Sequence, residues 1–87
     1  MQLLETVKFR KQRERLYSEK DKDALKKTIL RIQADPATGK KMNGGLAPFH
    51  FCRCTVAGRT QRLIYGYAAD TLILFSLGPR LGNFKPL

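Results

Sequence analysis

The second half of this 87-residue chain has almost no negative charge. From residue 37 onward Asp70 is the single carboxylate, against seven lysines and arginines. Acid/base catalysis by paired carboxylates, or a carboxylate-held magnesium ion, would therefore have to draw on the first half. Histidine and cysteine are equally scarce. His50 is the one histidine, and the two cysteines, Cys52 and Cys54, stand one residue apart. That spacing is too tight for an ordinary disulfide, and the two further ligands of a structural zinc site are missing. Free thiols packed as small apolar groups, in a reducing compartment, are expected. Long apolar runs are absent too: the longest, Leu72 to Phe75, falls far short of a membrane span, and Glu5 interrupts the N-terminus before a signal-peptide core could form. There is no phosphate-binding glycine loop, no serine-histidine-acid set and no metal-ligand cluster, and Asn43-Gly44-Gly45 reads as a turn signal. The expectation is one soluble cytoplasmic domain over residues 1–87, with no metal, no small-molecule cofactor and no membrane association.

What the chain does have is positive charge. It carries 17 Lys and Arg against seven Asp and Glu, a formal net charge of +10. Residues 1–36 carry ten basic and six acidic side chains, a net of +4, and residues 37–87 carry seven and one, a net of +6, so the positive charge with least counter-charge is in Lys40, Lys41, Arg53, Arg59, Arg62, Arg80 and Lys85. A surface of this kind with almost no counter-charge is the electrostatic footprint for a polyanion, most simply nucleic acid.

The apolar pattern divides the chain into helical and strand-like halves. Met1 to Thr6 reads as an edge strand, and Val7 to Tyr17 as a basic helix with Phe9, Leu16 and Tyr17 near one face. Ser18, followed by Asp21 three residues later, caps a second helix. Its stripe is Leu25, Ile29 and Ile32, and Asp35-Pro36 ends it. Pro36 to Pro48, with three glycines and two prolines, reads as a loop. Beyond it the period changes: Phe49–Val56, Gln61–Tyr67 and Thr71–Leu77 are strands separated by the hairpin-length connections Ala57–Thr60 and Ala68–Asp70. The predicted fold is α+β, in the order β-α-α-β-β-β, with a helix hairpin packed on a small antiparallel sheet.

Side chains alternate across a sheet, so cysteines facing the helices turn Arg53 to the other side, with Phe51 and Thr55. In the next strand Arg62 and Ile64 share a face opposite Leu63 and Tyr65. Arg80 follows the third strand closely, so three guanidiniums are candidates to converge on the open side of the sheet. Arginine suits that role because its planar fork stays charged and grips phosphate in a bidentate way. His50 has the one side chain whose ordinary pKa suits proton transfer at neutrality, but it shares parity with Cys52 and so turns toward the core if the cysteines do.

FRKQRERL in the first helix, the helix end and loop IQADPATGKKMNGGL, the strand RLIYGY and the terminal ILFSLGPRLGNF stand together in one order. In that order they resemble the RelE/ParE superfamily of type II toxins, over nearly the whole chain. The resemblance implies a toxin with a cognate antitoxin. RelE-like members cut mRNA in the ribosomal A site without a metal, leaving a cyclic phosphate, whereas ParE-like members inhibit DNA gyrase. By position, Arg62 and Arg80 match family arginines and Arg53 falls near the basic positions of the preceding strand. With His50 they form the expected catalytic set. Lys40, Lys41, Arg59, Phe84 and Lys85 are expected to contact RNA. Two departures stand out: Phe84 occupies the place of a tyrosine that many ribonuclease members carry, and Gly78-Pro79-Arg80 lacks the histidine of the frequent G-H-R form. A gyrase inhibitor or an inert homologue is the alternative reading.

Overall fold

The computed structural model describes residues 2–42, 49–56 and 58–78. Strand β1 (Gln2–Glu5) leads into helix α1 (Val7–Glu14) and helix α2 (Glu19–Ala34). A 3-10 turn (Pro36–Thr38) follows, then a two-residue strand β2 (Lys40–Lys41) and the long strands β3 (His50–Val56), β4 (Arg59–Ala68) and β5 (Thr71–Gly78). The five strands form one sheet in the order β1-β5-β4-β3-β2. The helix pair and the three long strands stand where the periodicity places them.

Each helix starts at a hydroxyl cap. Thr6 Oγ1 accepts from Phe9 N at 3.0 Å and donates to Phe75 O at 2.7 Å, so one hydroxyl both starts α1 and docks it on β5. Ser18 Oγ accepts from Asp21 N at 3.0 Å, as its spacing predicts. Helix α1 ends at Glu14, short of the expected Tyr17: Arg15 N and Leu16 N turn to the carbonyls three residues back, and Tyr17 is 89% exposed rather than part of the core. Gln12 closes α1 onto the sheet. Its Nε2 donates to Leu77 O at 2.6 Å and its Oε1 accepts from Leu77 N at 2.8 Å. Strand β1 stops opposite Leu74, so this side chain satisfies the β5 edge where no strand reaches.

Two features correct the expected antiparallel sheet. Strand β1 pairs parallel with β5, Leu3 opposite Leu72 and Leu4 opposite Ile73, which makes the sheet mixed. Part of the expected loop is structured: the 3-10 turn and β2 lie within it, with Lys40 opposite Phe51 and Lys41 opposite His50. Two residues offer no periodicity to read. Asn43 to Pro48, which completes that loop, lies outside the described residues.

The sheet is apolar on both sides. Phe9, Leu25 and Ile32 of the helices pack on Cys52, Cys54, Val56, Leu63, Tyr65, Leu72, Leu74 and Leu77, and both cysteines are buried free thiols. On the other face Met42, Phe51 and Ile64 form a second cluster with Phe49 and Phe75, whose rings meet edge to face at 4.6 Å. A bulge in β5, where Ile64 pairs with Ser76 but Tyr65 pairs with Leu74, lets Leu74 and Leu77 reach the same core despite their opposite parity.

Candidate functional site

The cationic face is set by the β3–β4 hairpin. Val56 pairs with Arg59, Gly58 takes the left-handed φ of 72° that closes the turn, and counting back along this register puts Arg53 directly opposite Arg62. Like charges placed opposite each other across a strand pair repel. The pair lies beside an aromatic floor: Phe51 faces Ile64 one step along the face, and the Arg62 guanidinium carbon is 5.8 Å from the Phe51 ring centre. Arg53 is exposed, while Arg62 is half-buried with its Nε shut off from solvent. Lys40, opposite Phe51, belongs to the same face. Among the described residues, no strand position sharing this face is a carboxylate. Three cations sharing one face, over a buried apolar cluster that fixes their strands, suit the phosphates of a polyanion.

The other candidates are placed differently. His50 pairs with Tyr65 and so lies on the helix side of the sheet, its ring stacked on Tyr65 (5.7 Å, 24°) and tilted against Tyr67 (5.2 Å, 44°). Lys41, opposite His50, and Arg59, opposite the buried Val56, share that helix-side register. Hence the sheet brings together Arg53, Arg62 and Lys40, and sets His50, Lys41 and Arg59 apart from them. Arg80, Phe84 and Lys85 lie outside the described residues. Among the described residues no three His, Cys, Asp or Glu side chains gather into a metal-binding group. No described helix is long and apolar enough to cross a membrane.

Tyr65, expected only to pack, does more. Its ring is fully buried in the centre of β4, and its hydroxyl donates to Pro36 O at 2.6 Å and accepts from Gly39 N at 2.9 Å. The turn it grips carries the chain from the helix layer to the sheet edge. Asp35 Oδ1 caps the same turn by accepting from Ala37 N at 3.2 Å. Gly39 is required there by space, since its φ is an ordinary −76° and a Cβ would collide with Tyr65 Oη. The glycine three residues after Asp35-Pro36 is the visible half of this arrangement. Its partner, 26 positions away, carries no local signal.

Burial pushes the Tyr65 phenol up to about 12, with the nearby Cys52 adding to the rise and the Gly39 N–H opposing it. Because the folded protein holds this proton more tightly than the unfolded chain, the associated stability is complete below pH 10 and is lost as pH rises toward 12. Alkaline unfolding followed by circular dichroism should show this loss in the wild type and not in Tyr65→Phe.

A separate groove of about 680 Å³ runs between α1, α2 and β1, lined by the apolar Leu3, Leu16, Leu25, Ile29 and Leu30 and by the charged Arg13, Glu14, Lys22 and Lys26, of which Arg13 is paired with Glu5 at 2.7 Å. Beside it, Leu3 and Leu4 of the edge strand are each 43% exposed. The sequence signal for this groove was weak, because half-exposed leucines on a helix and a strand look like ordinary surface until the two meet.

The architecture is similar to that of several solved structures. A chain of the intact E. coli RelBE toxin–antitoxin complex superposes with a TM-score of 0.72 at 16% identity, over 91% of this chain and 95% of that one. A YoeB/ParE toxin from Agrobacterium tumefaciens gives 0.76 at 14% identity, over 92% and 99% of the two chains. A copper-bound mutant toxin from Helicobacter pylori gives 0.70 at 24% identity, over 97% and 99%. No protein-family model and no curated protein matches the chain. At these identities the likeness establishes the fold: two helices on a five-stranded mixed sheet, in the RelE/ParE-like arrangement that the sequence motifs resemble.

Proposed function

We propose that this chain is the toxin of a type II toxin–antitoxin pair, a cytoplasmic, metal-independent endoribonuclease that cuts mRNA on the ribosome. The observation that carries the reading is the direct opposition of Arg53 and Arg62, with Lys40 on the same face. Two guanidiniums set opposite each other can approach one phosphate from two sides, each with a planar fork that matches its oxygens. In the proposed reaction the RNA 2′-hydroxyl gives up its proton to solvent as its oxygen bonds to the adjacent phosphorus, and the 5′-oxygen whose bond to phosphorus breaks takes a proton from solvent, leaving a cyclic phosphate and a 5′-hydroxyl. Arg62 and Arg53 stabilise the charge that develops on the non-bridging oxygens, and Lys40 holds a flanking phosphate. Arg80 is assigned to the same phosphate, and Phe84 to stacking on a base, by their places in the motif order.

A cognate antitoxin fits the second surface. An amphipathic segment would bury Leu3, Leu16 and Leu30 in the groove, and an acidic residue beside its apolar face would meet Lys26. Attraction of this kind weakens as salt screens the charges.

The position of His50 favours a second reading, a ParE-like gyrase inhibitor or a binding protein that does not cut, because the histidine is on the far side of the sheet from the arginines. Primer extension on mRNA after expression separates the readings. Codon-linked cuts support the nuclease, and intact mRNA with an SOS response supports gyrase inhibition. Should cuts be seen, His50→Gln is expected to leave their rate within about twofold of wild type, whereas losing a working general base costs on the order of a hundredfold or more.

A further inference from the structure

Strand β2 is too short to hold itself in place. It has two residues at the sheet edge, paired among the described residues with Phe51 and His50, and the next backbone bond runs from Met42 N to Phe49 O at 2.8 Å. Two ladder pairs at an edge fray readily unless something else fixes the chain. Yet this strand carries Lys40, the third cation of the arginine face, and leads directly into Met42, which packs with Phe51 and Ile64. The residue immediately before Lys40 is Gly39, held by the Tyr65 hydroxyl. Tyr65 lies in the central strand β4 and is fully buried, so its hydroxyl offers a fixed anchor from the middle of the core.

We propose that Tyr65 is a positioning residue for the anion-binding face: by bridging Pro36 O and Gly39 N, its hydroxyl fixes the turn that delivers Lys40 to the side of the sheet bearing Arg53 and Arg62. The inference rests on the proposed reading of that face as a phosphate site. Tyr65 itself does not touch the substrate, since its ring is on the opposite side of the sheet. The arrangement couples the helix-side core to one phosphate contact on the other face. Gly39 belongs to it, because a side chain at that position would drive the hydroxyl away.

The test uses Tyr65→Phe, Lys40→Ala and the double variant, with binding to a short single-stranded RNA followed over a range of salt concentrations below the melting temperature of every variant. Lys40→Ala should lower the slope of log affinity against log salt by about 0.7, one phosphate contact on a single strand. Tyr65→Phe should lower it by a similar amount although it removes no charge, and the double variant should lose no more than either single one. Amide exchange supplies a readout that general loosening would not reproduce. The Met42 amide should exchange roughly tenfold faster in Tyr65→Phe while the β4–β5 amides keep their protection. Loss of slope in Lys40→Ala but not in Tyr65→Phe, or a uniform rise in exchange across the sheet, overturns the inference. If wild-type binding proves insensitive to salt, the phosphate-site reading itself fails, and the Met42 exchange alone then decides whether Tyr65 holds the turn. If Tyr65→Phe does not fold, Asp35→Ala removes the cap at the other end of the same turn: a lowered slope there supports the inference, and an unchanged slope overturns it.

Discussion

Arg62→Ala is expected to lower mRNA cleavage on programmed ribosomes by a hundredfold or more and to abolish growth arrest, with unfolding free energy within about 1 kcal/mol of wild type. Two opposing effects keep the stability change small. The variant loses the guanidinium contact with the Phe51 ring, worth about 0.5 to 1 kcal/mol, and it removes the repulsion from Arg53 directly across the strand pair. The activity change has no such compensation. A group that meets charge developing only in the transition state contributes on the order of 3 kcal/mol, and an alanine offers no donor in its place. Arg62→Lys should recover little, because a single ammonium cannot reproduce the bidentate fork. Urea titration and single-turnover cleavage on the same preparation measure both quantities. A soluble, folded Arg62→Ala protein that still arrests growth would remove Arg62 from the site.

Gly39→Ala is expected to cost about 3 kcal/mol of stability, or on the order of 15 °C in melting temperature. The added Cβ collides with Tyr65 Oη and comes within 2.8 Å of both Phe51 O and a Tyr65 ring carbon. Neither neighbour can yield cheaply. The phenol is clamped between Pro36 and Gly39, and Phe51 O belongs to the β3 backbone. Moving the hydroxyl aside would leave the half-buried Gly39 N–H and Pro36 carbonyl without this partner, a cost of roughly 1 kcal/mol for each group. The cost should fall in a Tyr65→Phe background, where the closest clash is gone, and not vanish, because Phe51 O remains. Thermal melts of the two single variants and the double variant form the cycle that checks this.

Several of these features were legible before any coordinates. Alternation alone placed Arg53 and Arg62 on one side and His50 with the cysteines on the other, because side-chain direction in a strand repeats every two residues. The cap at Ser18, the helix end at Asp35-Pro36 and the sheet-facing stripe of α2 were readable for the same kind of reason: they depend on residues close in the chain. The register was not. A connection of four residues, Ala57 to Thr60, would pair Val56 with Gln61 and put Arg53 opposite Ile64. The observed pairing of Val56 with Arg59 sets the two arginines against each other instead.

The helix pair, the three long strands, the scarcity of carboxylates after residue 36 and the sharing of faces along each strand all follow from local periodicity, capping or composition. The parallel pairing of β1 with β5, the bulge that brings Leu74 and Leu77 into one core, the direct opposition of Arg53 and Arg62, and the grip of Tyr65 on Gly39 arise in the assembled fold alone. These depend on which hydrogen-bonding groups far apart in the chain meet when the helix layer closes on the sheet. A two-residue strand such as β2 shows the difference most plainly: nothing in Lys40-Lys41 marks it as a strand, and it becomes one because β3 offers an open edge and a buried tyrosine holds the turn beside it.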